Sequence, residues 1–377
     1  MLIRGKSISG AKGAKCFVCG DILGEVARSI GVCPACIKTR PEKSRECIER
    51  VHAQSRGIFG LPTRAPANPE GIECKLCLHR CRPGKNQKGF CGVRHGSKQS
   101  MRIDGNARAM VSYYRDPLPT NCVADWVCAG GTGDGYPCFA NDCGPEVGFY
   151  NLAVSLDACN LNCLYCQNWS FRKVHLAPRW TSIETLVRQV DDSTSCLCFF
   201  GGDPGPQLPY AVKLSYLARK KNPGRILRIC WETNGALHPS GLRAMMKLAL
   251  KSGGCVKIDL KAFDPAIHRA LCGFDNSKIL DNFARAAQWA RERVSPPALV
   301  ASTTLIPEFV EEDEIYALAS FIARINPDIP YALLAFAPQF LMEDCPTTST
   351  DQAYACLKAA KRAGLTRVRL GNEDLLS

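Results

Sequence analysis

NLAVSLDACNLNCLYCQNW, residues 151–169, begins with an apolar run of strand length and continues directly into three cysteines, Cys159, Cys163 and Cys166. A strand that feeds a ligand-bearing loop is the arrangement of parallel α/β proteins, whose sites lie at the C-terminal ends of their strands. Three thiolates, unlike four, hold a [4Fe–4S] cluster with one iron left open for a substrate or cofactor.

Downstream of this stretch the chain alternates short apolar runs with amphipathic ones. Strands are expected at 151–156, 196–200, 226–231, 255–260, 298–304 and 331–336. Helices are expected between and after them, at 182–192, 207–221, 240–252, 278–293, 312–325 and 351–363. Six strand–helix units predict an α/β fold with a parallel sheet and crossover helices. About 230 residues are short for a closed eight-fold barrel, so a partial (β/α)6 barrel over 148–377 is the expected geometry.

Upstream the composition changes. The whole chain has 377 residues and 23 cysteines. A chain of this length needs no disulfide staples, and the C-x2-C spacings read as metal ligation in a reducing cytoplasm. No apolar run is long enough for a membrane span, and the basic N-terminus lacks the apolar core of a secretory signal. Residues 1–65 carry two knuckles, CFVC and CPAC, and run into the Pro/Gly-rich linker that begins at Gly57. Cys16, Cys19, Cys33 and Cys36 are expected to bind one structural zinc ion tetrahedrally. Residues 66–147 are rich in Cys and Gly, so metal is expected to replace core there. Cys74, Cys77, Cys81 and Cys91 form one compact candidate set for a metal or small cluster. His79, among them, reads as a surface or supporting residue. Cys122, Cys128, Cys138 and Cys143 form a looser set. Spacing alone does not separate zinc, iron and iron–sulfur in these two sets. The other eight cysteines are expected to be small buried hydrophobes.

The net charge of +13 is concentrated at the start: residues 1–100 hold 19 Lys/Arg against 7 Asp/Glu. Such an excess neutralises thiolate sites or meets an acidic partner. A zinc/Fe–S nucleic-acid binder is the reading from another class. It is disfavoured, because only Phe17, Phe59 and Phe90 offer rings for base stacking in this region.

The C-x3-C-x2-C triad, with aromatic Tyr165 before its last cysteine, resembles the radical SAM superfamily. FFGGDPGPQLP (199–209) resembles the superfamily's Gly-Gly-Glu stretch, with Asp203 in place of Glu. CWETNG (230–235) and KIDLK (257–261) resemble the third- and fourth-strand motifs of glycyl-radical activating enzymes, and TTLIPEF, LLAFAPQF and VRLGN (368–372) continue the likeness. The resemblance implies a [4Fe–4S] cluster on the triad and S-adenosylmethionine held by Tyr165, Gly201, Gly202, Asp203, Pro204, Glu232, Thr233, Asn234, Asp259 and Lys261. It implies reductive cleavage of S-adenosylmethionine, fed by a low-potential electron donor, and modification of a protein or peptide. The Cys-rich extension resembles a largely archaeal group that includes cobalamin-dependent C-methylases acting on a glutamine of methyl-coenzyme M reductase. Glycyl-radical activation is the alternative. No D-x-H-x-x-G cobalamin loop is present; His175, His238 and His268 lack that context and read as ordinary histidines.

Overall fold

The computed structural model describes residues 15–21, 27–96 and 107–377. After the second knuckle come α1 (Pro34–Thr39) and α2 (Pro41–Gly57), each opened by a proline at its first helical position. A short strand β1 (Arg108–Ala109) is followed by β2 (Val111–Pro117) and a helical turn, α3 (Ala129–Thr132). The barrel then begins with β3 (Tyr150–Leu156), whose residues Leu152, Ala153 and Val154 are almost fully buried.

The succession thereafter is β4 (Thr181–Ser182), α4 (Ile183–Val187), β5 (Thr194–Gly201), α5 (Leu208–Lys221), β6 (Arg228–Thr233), α6 (Pro239–Ser252) and β7 (Val256–Asp259). It continues through α7 (Pro265–Cys272), α8 (Ser277–Ala290), β8 (Leu299–Leu305), α9 (Glu312–Ile325), β9 (Tyr331–Ala335), α10 (Thr350–Arg362) and β10 (Val368–Gly371). The main sheet has the order β10-β9-β8-β7-β6-β5-β3-β2. Every pair in it is parallel except β2 with β3. The expected mixed α/β partial barrel is therefore present, with two strands beyond the expected six: antiparallel β2 on one edge and β10, in the VRLGN tail, on the other.

Helix faces follow the apolar spacing. Ile279, Phe283, Ala286 and Ala287 lie on one face of α8 and are buried against the sheet. Helix α7 escaped the periodicity because it is only eight residues long. Its signal is Asp264-Pro265: the Asp264 carboxylate accepts from the amides of Ala266 and Ile267, capping a helix that proline starts. Helix α4 ends well short of 192; the carboxylate of Asp191 instead accepts from Ser193 N and the Thr194 hydroxyl, which favours a turn.

The N-terminal knuckles do not stand apart. Ile30, Val32, Ile37, Ile48 and Val51 belong to the same apolar core as the barrel's Leu271 and Phe283. Among the described residues no helix is long and apolar enough to cross a membrane.

Candidate active site

At the C-terminal ends of the parallel strands lies a cavity of about 330 Å³, lined by residues of the Cys159–Cys166 loop, the Gly-Gly-Asp turn, and the ends of β6 and β7. The loop after β3 and the turn after β5 are sewn together by their backbones. Gly202 N donates to Leu156 O at 3.0 Å, and Asp203 N donates to Ala158 O at 2.8 Å. A Cβ on Gly202 would meet Ala158 O at 2.4 Å, and Gly201 has φ +103, so both positions require glycine.

Asp203 is buried, and its two oxygens face protein donors. One accepts from Gly205 N at 2.7 Å; the other accepts from Thr233 Oγ1 and Asn234 N, each at 2.8 Å. It ties the turn after β5 to the end of β6. Desolvation raises its pKa to about 6, against the pull of these donors. Asn234 continues the strut: its amide nitrogen donates to Asn160 Oδ1 at 2.8 Å and lies 3.7 Å from Cys159 Sγ. Pro204 is buried behind Asp203 and does not line the cavity, whereas the other residues singled out by the resemblance do.

Glu232 pairs with Lys257 at 2.7 Å, and Asp259 pairs with Lys261 at 2.7 Å. Burial would lower both ammonium groups, but the neighbouring anions and thiols outweigh it and keep them charged. Ser302 donates to the second oxygen of Asp259. Tyr165 lines this cavity, and its hydroxyl, buried against the Cys272 thiol, makes no well-formed hydrogen bond. A hydroxyl of this kind fits a polar ligand better than a filled core.

Cys159, Cys163 and Cys166 all line the cavity. Cys163 Sγ lies 3.6 Å from Cys272 Sγ at the end of α7, a thiol that the sequence presents only as a buried hydrophobe. A tetrahedral zinc ion with 2.3 Å bonds spaces its thiolates about 3.8 Å apart. Among the described residues, the group whose ligand atoms all fall within 4.8 Å is Cys16, Cys19, Cys33 and Cys36. The triad is more widely spread, as the ligands of a cluster are.

The other candidate sets fare differently. In the first, Cys19 and Cys33 sulfurs are 4.0 Å apart, and amides of Val18 and Cys33 point at Cys16 Sγ. Burial would raise the Cys16 thiol, but amide donors from Cys33, Cys19 and Val18 bring it down to about 6, whereas burial and the neighbouring thiols of the set push Cys36 up and Cys19 is pushed up to about 12. In the second, Cys74, Cys77, Cys81 and Cys91 are all buried, with the buried guanidinium groups of Arg56 and Arg94 near them. This set packs on the turn after β6, where Leu78 N donates to Ala236 O, and on the Cys159 loop, where His79 Nε2 meets Asn160 O at 2.7 Å. His79 is half-buried and supports the loop, the second of the two roles expected for it. The third set is divided. Cys138 and Cys143 are exposed, whereas Cys122 and Cys128 pack against Cys198, Cys230 and Cys255 in the barrel.

Several cavity residues carried no motif. Arg172 is buried beside the triad and donates to Asn162 Oδ1 at 2.8 Å and to Cys163 O at 3.3 Å. Asp125 and Trp126 reach the mouth from the loop before α3, where Asp125 holds Arg369 of β10 at 2.7 Å. That ion pair spans the two edges of the open sheet. VRLGN was the visible signal for Arg369 and Asn372; nothing marked Arg172.

Residues 154–322 match the radical SAM superfamily. Over 188 residues the chain is 25% identical to the pyruvate formate-lyase-activating enzyme of Staphylococcus aureus, covering 47% of this chain and 71% of that one. Similar solved structures include a domain of the pyruvate-formate lyase-activating enzyme from Bacteroides vulgatus, at 21% identity and TM-score 0.37, covering 46% of this chain and 98% of that one. Another is Streptococcus suis SuiB bound to its precursor peptide SuiA, at 11% identity and TM-score 0.44, covering 57% and 46% respectively.

Proposed function

We propose that this chain, which carries a radical SAM domain, is an enzyme that reductively cleaves S-adenosylmethionine and modifies a side chain of a protein substrate. The observation that carries the reading is the convergence of Cys159, Cys163 and Cys166 on the cavity that also exposes Tyr165, Gly201, Gly202, Glu232, Thr233, Asn234, Asp259 and Lys261. The donor set fits the implied groups: three thiols leave one iron of a [4Fe–4S] cluster open, and the Tyr165 hydroxyl, which makes no well-formed hydrogen bond, awaits a polar ligand. When bound, the cluster and S-adenosylmethionine supply one-electron cleavage to methionine and a hydrogen-abstracting 5′-deoxyadenosyl radical.

The chain's own residues hold and orient. Asn234 and Asn160 brace Cys159, and Arg172 braces the Cys163 backbone. The Gly201-Gly202 backbone offers close approach for the cosubstrate's polar end. Asp203 serves as the strut behind it, its short side chain turned to Thr233 and Asn234 where a longer Glu would reach the ligand. Glu232, Asp259 and Lys261 are positioned for the ribose or carboxylate.

Within this reading the reaction is C-methylation of an unactivated carbon, with a glutamine of methyl-coenzyme M reductase as the substrate side chain. An sp3 carbon has no lone pair to attack a sulfonium, so only a radical route is open to it. Cobalamin would be the methyl donor. A cavity of about 330 Å³ suits a cosubstrate of S-adenosylmethionine's size, and a corrin does not enter it as well. Cobalamin would therefore cap the mouth rather than fill the site. Support for a macromolecular substrate comes from the basic excess of residues 1–100, 19 Lys/Arg against 7 Asp/Glu, although Arg80 and Arg82 of the second cysteine set share Glu73 as their partner. Zinc at Cys16, Cys19, Cys33 and Cys36, and a metal or cluster at Cys74, Cys77, Cys81 and Cys91, complete the reading.

The 25% identity to an activating enzyme across the barrel favours the second reading, glycyl-radical installation on a partner protein. One experiment separates them. Anaerobic protein with reductant, S-adenosylmethionine, methylcobalamin and a glutamine-containing peptide of the substrate should yield a peptide heavier by one methylene. A stable glycyl radical on a partner, with no cobalamin bound, would establish the activase instead.

A further inference from the structure

Below the cavity already described lies a second one of about 150 Å³ on the barrel axis, and its wall is rich in sulfur. Cys196 and Cys198 of β5, Cys230 of β6 and Cys255 just before β7 face it from the barrel, and Cys122 and Cys128 close it from the loop before α3. Cys198 and Cys230 are register partners on adjacent strands. Barrel interiors are ordinarily filled by Val, Ile and Leu. Here four of these inward positions carry a smaller, thiophilic residue, and a void remains where branched side chains would meet.

The polar groups of this cavity match a bound centre. Lys257 Nζ, buried inside the barrel, lies 2.9 Å from Cys122 Sγ and 3.4 Å from Cys198 Sγ while it pairs with Glu232. A fixed cation at that position offsets the negative charge that thiolates carry when they ligate metal. The Asn151 side-chain oxygen, on the same wall and 8% exposed, accepts no hydrogen bond. Among the described residues these sulfurs are not drawn together as tightly as Cys16, Cys19, Cys33 and Cys36, so a single preformed tetrahedral ion site is not what they make.

We propose that the barrel floor holds a thiolate-bound metal cluster, ligated by cysteines drawn from Cys122, Cys128, Cys198, Cys230 and Cys255 with Lys257 as its fixed counter-charge. Cys196 is set apart, because its sulfur receives the Arg228 guanidinium at 3.1–3.2 Å. Binding of Zn2+, or transfer of a preassembled iron–sulfur cluster by ligand exchange, converts the ligating thiols to thiolates and releases their protons with no change of oxidation state. Iron–sulfur and zinc–thiolate clusters share this ligand chemistry, and metal analysis distinguishes them.

The test compares full-length chains purified anaerobically: wild type, the Cys159→Ala/Cys163→Ala/Cys166→Ala variant, and the Cys198→Val/Cys230→Val variant. Iron, acid-labile sulfide and zinc per chain are measured beside thermal unfolding. The triad variant should retain the floor centre. The valine variant should lose one centre's complement, as iron with sulfide or as zinc, while its triad still cleaves S-adenosylmethionine under a strong reductant. A folded valine variant with unchanged metal content would overturn the proposal, because the cysteines would then be simple core residues. Should the valine variant not fold, anomalous diffraction from wild-type crystals at the iron and zinc edges decides. A peak among these sulfurs is expected, and a metal-free cavity at both edges overturns it.

Discussion

His79 Nε2 lies 2.7 Å from the backbone carbonyl of Asn160, the residue that follows the first cysteine of the triad. The second cysteine set is thereby joined to the loop that carries Cys159, Cys163 and Cys166. Its ring also stacks on Phe90 at 4.1 Å, which fixes its orientation. His79→Ala should leave the iron content intact but slow S-adenosylmethionine cleavage by roughly 10- to 100-fold, the usual penalty for losing a supporting contact to a metal ligand. An unchanged rate of 5′-deoxyadenosine formation would show that the contact is structural only.

Cys159, Cys163 and Cys166 are required together. With any one thiolate missing, the cluster loses the arrangement that leaves a single iron open. Cys163→Ala protein, reconstituted and reduced, should form no 5′-deoxyadenosine above the protein-free background by chromatography.

Cys272 is expected to tune the proposed cluster. Once Cys163 is an iron-bound thiolate, the sulfur 3.6 Å away is left as its hydrogen-bond donor. A donor to a ligand sulfur stabilises the more negative, reduced cluster. Cys272→Ala should therefore lower the midpoint potential in an EPR-monitored titration while iron content stays the same; a raised or unchanged potential contradicts this.

If Cys16, Cys19, Cys33 and Cys36 bind zinc as proposed, the site is structural, because four thiolates leave no open position. A strong chelator should render residues 15–57 protease-sensitive and release one zinc ion, while the triad's iron remains. Resistance to proteolysis after complete zinc removal would count against the assignment.

Glu146 and Arg228 form a bidentate buried pair, with both N–O distances 2.6 Å, and Ser195 donates to the same carboxylate at 2.6 Å. Burial alone would raise the Glu146 carboxyl, but the guanidinium outweighs it and holds the pKa below the ordinary value. The pair thus contributes stability at neutral pH, and that contribution fades as the pH falls through the depressed pKa. Glu146→Ala, which strands Arg228, should destabilise by about 3–5 kcal/mol in urea unfolding at pH 7. The gap between variant and wild type should narrow in acid; a gap that widens there would refute the pairing as its cause.

Much of the barrel was legible because its strands and helices are written in local periodicity. NLAVSL at 151–156 and the α8 stripe need no distant partner to be recognised. Helix α7 was legible only through its Asp264 cap, and β2 only through its partner, since five of its seven residues are exposed and show no buried face. The triad was readable from spacing, because a loop of eight residues places its own thiols. Arg172 was not readable: a buried arginine has no local signature, and its partners Asn162 and Cys163 lie across a turn of chain.

What the sequence determined by itself is therefore whatever depends on neighbours along the chain: strand and helix periods, the two C-x2-C knuckles, the triad, and the Gly201-Gly202 pair. Tertiary structure alone decided which thiols meet. It separated Cys138 and Cys143 from Cys122 and Cys128, turned Asp203 toward Thr233, and brought Cys198, Cys230 and Cys255 around Lys257. The physical reason is the parallel sheet. Its register sets side chains from strands some thirty residues apart next to each other, and no spacing rule along the chain contains that register.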